Sequence, residues 1–385
     1  MSEKEIKLSI IIVSYHAIDF LKLTLFSVAK ALENVNGEVL LVDNSNDTQL
    51  QKSVSTLFPF VKIIATSTNL GFAKANNKAL KIASGDVALL LNPDTIVAED
   101  TFIKMINHFK NHNTGGLGAR MIDGSGNFLP ESKRNFPTLS SSVLKILKFH
   151  RLFPNLLSFY SYYANHLPSD KAGIVEILSG AFLAMPRKKD GSLPLFDEAY
   201  FMYGEDIDLS VQLRKEFGNN YYHPDITIIH FKGQSTPKNR NILWHFYHSM
   251  WLFYRKYIKS SRSIFTTALV WLSVRCVYSF KAMATLISKP KANNSNIDPK
   301  TVALISDNQN LVNKLRQHFP DINLYTHVAN KQNEPIIIFD PHCISNYEMI
   351  NFMSNYNYQY GFINNDYSSL IICPVKGVKG NVIAL

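Results

Sequence analysis

Between Leu8 and Leu91, short apolar runs alternate with longer amphipathic stretches. Leu8–Ser14 (LSIIIVS), Glu38–Val42 (EVLLV), Val61–Ala65 (VKIIA) and Val87–Leu91 (VALLL) are short and nearly continuous in apolar residues. That is the pattern of parallel strands buried on both faces. Ile18–Leu32 and Phe72–Ala83 space their apolar residues by three and four and predict helices. Strand and helix alternating through short connections predict an α/β fold, with an open, mostly parallel sheet covered on both faces. Ligands of such sheets bind beyond the carboxyl ends of the strands. Those ends are Ser14–His16, Asp43–Asn44 and Asn92–Asp94, so three polar clusters are expected on one rim.

From about Thr114 the pattern changes. Asp123-Gly124-Ser125-Gly126-Asn127 predicts a hairpin turn. Residues 134–172 are aromatic and irregular and read as an insertion. Val175–Met185 reads as a strand. Gly204-Glu205-Asp206-Ile207-Asp208 opens a helix with its acids in the first turn, where the helix dipole favours them. Tyr221–Phe231 returns as a strand. Residues 264–288 are long and apolar, with Arg275 and Lys281 interrupting them. A helix lying in a membrane interface fits that run best, ahead of a soluble packing helix and of a span. Pro290–Pro299 has linker composition. Val302–Ile305, Pro335–Phe339 and Leu370–Cys373, with helical stretches between, predict a small α/β domain at the C-terminus. The divisions expected are 1–257, 258–299 and 300–385.

Composition narrows the classes. With 46% hydrophobic and 18% charged residues, the 385-residue chain has material for a large core and is not a disordered protein. Three scattered cysteines, Cys276, Cys343 and Cys373, exclude a disulfide scaffold and a zinc ribbon and suit a reducing compartment. The N-terminus reads as a first strand, not a signal peptide, so a cytoplasmic location is expected. The net charge is +10, and residues 241–300 hold nine Lys/Arg against Asp298 alone, leaving +8 there. A surplus confined to one segment points to an anionic surface, either a membrane or a nucleic acid.

The rim residues have a chemical logic of their own. A carboxylate at Asp43 can accept a ring N–H from a nucleobase, with Ser14 and Tyr15 beside it. Asp94 is placed to hold a divalent cation by oxygen. Each also has an ordinary reading as a turn residue, in DNSND and in NPD. Their recurrence at successive strand ends favours a nucleotide–metal site.

The ordered set VSYH (13–16), VDNSND (42–47), NLGFAKANN (69–77), LLLNPDT (89–95), SGAF (179–182), FDEAYFMYGEDIDL (196–209) and HFKGQS (230–235) resembles the family 2 glycosyltransferases of GT-A fold. The branch it is most similar to includes rhamnosyltransferase-like enzymes of bacterial surface polysaccharide synthesis. The resemblance covers roughly residues 6–257. It implies a Rossmann-like nucleotide-diphospho-sugar transferase domain and inverting transfer from a nucleotide-diphosphate donor. Carried over by position, Ser14, Tyr15 and Asp43 contact the base, and Asn69, Gly71 and Asn76 shape the neighbouring loop. Asp94 and His230 hold Mg²⁺ or Mn²⁺ on the diphosphate, and Asp206 is the base, with Glu205 as its substitute. Asn92 stands where the family's DxD pattern has its first acid. Its amide remains able to bond a ribose or accept at a metal.

The expected activity is transfer of a sugar, rhamnose among the options, from a UDP or dTDP donor to a growing, lipid-linked glycan. The expected partners are the nucleotide-sugar donor, the glycan acceptor and an anionic membrane surface, with peripheral attachment to the inner face of the plasma membrane. Nucleic acid is not expected, because the strand-end acids would repel phosphates. The competing readings are an inactive glycosyltransferase-like binding protein and a basic nucleic-acid-binding protein. No phosphate-binding glycine motif occurs in the C-terminal domain, and no cofactor is assigned to it.

Overall fold

The computed structural model describes residues 6–137, 162–233, 240–258, 264–287, 301–325, 336–373 and 380–385. The four apolar runs are strands β1 (Leu8–Ser14), β2 (Gly37–Asp43), β3 (Val61–Ala65) and β4 (Val87–Leu91). Helices α1 (Ile18–Leu32), α2 (Thr48–Leu57) and α3 (Phe72–Leu80) connect them. β1 and β4 are buried along their whole length, as their unbroken apolar sequences require. These strands lie in the order β3-β2-β1-β4, all parallel, with Ile10 beside Val39 on one side and Leu89 on the other.

Past β4 the sheet becomes mixed. β8 (Phe182–Pro186) pairs with β4, and β6 (Leu117–Ile122) with β8. β9 (Asn220–His230) lies parallel to β6, and β5 (Thr95–Val97) closes the edge on β9. β7 (Gly173–Val175) also pairs with β9, giving nine strands among the described residues. Helices α4 (Thr101–Asn111) and α5 (Glu205–Phe217) complete this part. The expected α/β class and the 123–127 turn are present. Asp123 N–H donates to Asn127 O at 2.9 Å, and Gly126 takes φ +82°.

Val175–Met185 is not one strand. It splits into β7 and β8, because Ile177 leaves the sheet to exchange backbone hydrogen bonds with Arg134, and Ser179–Phe182 turns. Of the insertion expected over 134–172, residues 138–161 lie outside the described residues, as does the linker at 290–299.

The C-terminal residues form a second sheet, in the order β11-β10-β12-β13-β14-β15. Its strands are β10 (Thr301–Ile305), β11 (Asp321–Tyr325), β12 (Ile336–Phe339), β13 (Gln359–Ile363), β14 (Ser369–Cys373) and β15 (Asn381–Ala384), with α8 (Gln309–Leu315) and α9 (Asn346–Asn355). The first four strands of that order are parallel, and the last two pairings are antiparallel. One face shares a core with the first sheet: Phe20, Ile96, Ile229 and Phe231 join Ile305, Phe339, Met349 and Phe362 in one buried cluster. The Phe231 ring stands 5.2 Å from Phe20 and 5.0 Å from Phe362. α6 (Arg240–Phe253), extended by a wider turn over Tyr254–Ile258, pairs with α7 (Ile264–Ile287) through Trp244 and Tyr278.

Candidate active site

β4 ends at Leu91, and the next three residues turn sharply under two constraints. Asn92 N–H donates to Ala181 O at 3.1 Å. The Thr24 hydroxyl, buried in α1, lies 2.8 Å from both the Pro93 and Thr95 carbonyls and accepts the Thr95 N–H at 3.1 Å. The turn hands the chain to β5, where Thr95 pairs with His230. Three side chains separated by up to 138 residues therefore meet. His230 Nε2 lies 3.4 Å from Asp94 Oδ1 and 3.3 Å from Asn92 Nδ2. The Asp94 and His230 side chains are only 4% and 11% exposed, and His230 Nδ1 is buried without a hydrogen-bond partner.

A carboxylate, an imidazole and an amide oxygen suit Mg²⁺ and, through the imidazole, Mn²⁺. Among the described residues no three His, Cys, Asp or Glu side chains converge on a metal site. Two ionisable ligands leave room for phosphate oxygens, the usual way Mg²⁺ is held beside nucleotides. The residues present fit such an ion.

Ser14 and Asp43 are register partners on β1 and β2. The Ser14 hydroxyl is buried with no hydrogen-bond partner, Tyr15 is half-buried, and His16 has a positive φ of 50°. Asp43 is fully engaged by its own loop. Oδ1 accepts from Ser45 N–H (3.0 Å) and Ser45 O–H (2.7 Å), and Oδ2 from Asp47 N–H (2.9 Å) and Gln51 Nε2 (2.7 Å). Burial raises its proton affinity, but the bonds from Gln51, Ser45 and Asp47 outweigh that and hold it below the usual carboxyl range. The turn role thus fills all four acceptor positions of the carboxylate.

The loop after β3 is organised by Asn44, which the sequence placed on the rim without giving it a role. Its amide donates to Asn69 Oδ1 at 2.9 Å, and its carbonyl accepts from Leu70 N–H at 2.9 Å. Asn69 in turn accepts from Gly71 N–H. Gly71 needs to be glycine: φ is +77°, and a Cβ there would sit 2.5 Å from Phe201 O. Asn76 is buried one turn into α3 and bonds its own helix at Phe72 O. Its neighbour Asn77 holds the 196–198 segment through Phe196 and Glu198.

Asp206 sits in the first turn of α5. Its Oδ2 accepts from Arg134 Nη2 at 2.6 Å and Gly180 N–H at 3.3 Å. Burial opposes the Arg134 charge, but Asp206 more than offsets this and the guanidinium is held ionised. Gly180 precedes Ala181, which bonds Asn92, so the carboxylate and the β4 turn are tied through two adjacent residues. Glu205 is buried, with Oε2 unpartnered. Burial first, and the Asp206 charge second, raise its proton affinity well above the carboxyl range. Asp208 is structural: its Oδ1 accepts from Tyr257 O–H at 2.6 Å and pairs with Lys256 at 2.7 Å. Arg134 was missed because nothing in FLPESKRNF distinguishes it from an ordinary surface arginine.

Residues 9–165 match the model of glycosyl transferase family 2. The match takes in the Ser14, Asp43, Asn69 and Asp94 positions and ends before Glu205 and His230. Two curated relatives extend the likeness further along the chain. An N-acetylglucosaminyl-diphospho-decaprenol L-rhamnosyltransferase of Mycobacterium tuberculosis is 28% identical over 245 residues, 60% of this chain and 78% of the relative. The rhamnosyltransferase WbbL of Escherichia coli K12 is 26% identical over 269 residues, 66% of this chain and 95% of the relative. Among solved structures, the mannosyltransferase PcManGT from Pyrobaculum calidifontis, in complex with GDP-Man and Mn²⁺, aligns at 13% identity. It covers 74% of each chain, with a TM-score of 0.45.

Proposed function

We propose that this glycosyltransferase is inverting and metal-assisted. It moves a sugar, rhamnose before others, from a UDP or dTDP donor to a hydroxyl of a growing lipid-linked glycan. The observation that carries the reading is the Asn92–Asp94–His230 triangle at the carboxyl end of β4. Asp94 and His230 would hold a divalent cation, which would supply positive charge to the departing diphosphate. Ser14 and Tyr15 line the base, and its ring N–H takes the Gln51 position on Asp43. Asn69 and Gly71 shape the loop beside it, and Asn92 bonds the ribose.

Asp206 removes the proton from the attacking hydroxyl. Arg134 and Gly180 N–H fix one of its oxygens, so the carboxylate meets the acceptor in one orientation. Glu205 is less available as a base, since burial favours its protonated form. The acceptor side faces the inner leaflet of the plasma membrane, where the chain is attached peripherally.

Calorimetric titration with a panel of nucleotide sugars, with and without Mn²⁺, tests the reading, followed by NMR of the product's anomeric configuration. Binding of one UDP or dTDP sugar, tightened by Mn²⁺ in the wild type and not in Asp94→Ala, is the expected result. Metal-independent transfer, or retention at the anomeric carbon, overturns it.

A further inference from the structure

Seven of the sixteen large apolar side chains that stand exposed among the described residues lie on one helix, α7. Phe265 is 82% exposed, Leu269 65% and Phe280 70%. At about 100° per residue, Phe265, Leu269, Leu272, Cys276, Phe280 and Met283 fall within one stripe roughly 80° wide. Arg275 and Lys281, which in sequence interrupt the apolar run, do not interrupt the stripe. The Arg275 guanidinium lies 5.0 Å from the Trp244 ring and 5.2 Å from Trp271, and the Lys281 ammonium 5.3 Å from the Tyr247 ring. Both cations are thus drawn to aromatic side chains at the flank and on α6, leaving the outer face uncharged. Among the described residues no helix is long and apolar enough to cross a membrane.

The charge around the stripe decides what covers it. Arg255 is exposed just before α7, and the sequence adds Lys259 and Arg262 before the helix and Lys289 and Lys291 after it. No acid occurs from 241 to 297. A second copy of the chain laid on this face would set cation against cation. An apolar stripe with an exposed cation before it, and further cations on both sides in sequence, fits the boundary between acyl chains and anionic headgroups. We propose that the outer face of α7 docks on an anionic phospholipid bilayer. This gives the proposed function its membrane partner, and it rests on that reading for its purpose but not for its geometry. Lys256 is not part of the basic fringe: it is spent on Asp197 and Asp208, each at 2.7 Å.

The test is flotation of the full chain with phosphatidylglycerol/phosphatidylethanolamine vesicles, against phosphatidylcholine vesicles. A fluorophore on the exposed Cys276, in a Cys343→Ser background with Cys373 buried, gives a second readout. The wild type should float with the anionic vesicles at least tenfold better than with the neutral ones, and the probe should shift to the blue. Leu269→Asn/Leu272→Asn/Phe280→Asn should lose at least tenfold of that binding while keeping donor affinity measured without vesicles. Equal flotation of the triple variant, an unshifted probe, or a wild-type dimer that the triple variant converts to monomer overturns the proposal. A chain that floats as expected but binds no nucleotide sugar sinks the glycosyltransferase reading and leaves the docking face standing.

Discussion

Two parallel strands of this chain run out into an acid at the carboxyl edge of a sheet, and the two acids meet different ends. β4 leads to Asp94, whose carboxylate faces His230 across 3.4 Å, with Asn92 against the same imidazole. β12 leads to Asp340, fully buried, which accepts the Ser306 hydroxyl at 2.6 Å and the His342 N–H at 3.0 Å and lies 3.4 Å from the Tyr367 hydroxyl. α1 then lies against the second edge, with Lys30 Nζ on Pro341 O at 2.8 Å and Lys22 on Asp366 at 2.6 Å. Strand-end topology offers a ligand crevice in both sheets. In the second sheet the chain itself consumes the bonding capacity of the edge, whereas beside Asp94 the His230 Nδ1 is left without a partner. The second sheet uses its edge to hold α1, whose Thr24 fixes the turn at Asp94.

The strongest way to break this contrast is to remove each acid. Asp94→Ala should lower transfer by about a hundred- to a thousandfold, the scale for losing a preorganised electrostatic contact to the reacting group, with stability unchanged. Asp340→Ala should leave kcat within about threefold but lower stability by about 1–3 kcal/mol, because its donors lose a buried acceptor. Transfer assays and urea denaturation of both variants check the pair, and the opposite pattern would show that the wrong edge carries the chemistry.

A next, smaller loss belongs to Asp206. Asp206→Asn should cut kcat by at least about a hundredfold while donor affinity holds, since in the proposed mechanism the residue acts on the acceptor. Glu205→Gln should be far milder. If kcat collapses in Glu205→Gln and survives in Asp206→Asn, the base is the other carboxylate. Glu205 also predicts a pH effect. Its folded proton affinity lies above the ordinary value of 4.5, so the stability it contributes is full below about pH 4.5. That stability is lost as pH rises through the higher folded value. The melting temperature of Glu205→Gln should therefore fall less than that of the wild type between about pH 5 and 9.

The contrast also explains what could be read in the sequence. β1, β4 and α1 were legible to the residue, because buried parallel strands are unbroken apolar runs and α1 has a regular apolar face; β3, an edge strand with only Val61 buried, was legible from its β-branched residues instead. β5 was not, being three residues long, and β11 was not, because Asp321–Tyr325 is largely exposed and polar. Asn92, Asp94 and His230 were legible as strand ends and motif residues. Arg134, Asn44 and Thr24 were not, since each matters only through the partner that the fold brings to it. The basic segment was legible as a charge count, but which cations remain free required the aromatic and acidic partners on α6 and near α5.

The smallest expected effect sharpens the account of the second edge. The Lys22–Asp366 pair joins α1 to the β13–β14 turn, with side chains 12% and 21% exposed. Burial works against ionised Asp366, but hydrogen bonds from Lys22 and Ser368 outweigh it and lower its proton affinity below the ordinary 3.8. The stability the pair supplies is then present above about pH 3.8 and is lost as pH falls through the lower folded value. Asp366→Asn should cost about 1 kcal/mol at neutral pH, the upper end for a pair still touched by solvent, and flatten the acid side of the stability curve. Transfer should stay within about twofold, because Thr24 keeps its own bonds to the 93–95 turn. A drop in kcat without a matching drop in stability would mean that this edge does more than hold α1: it would be setting the position of Asp94.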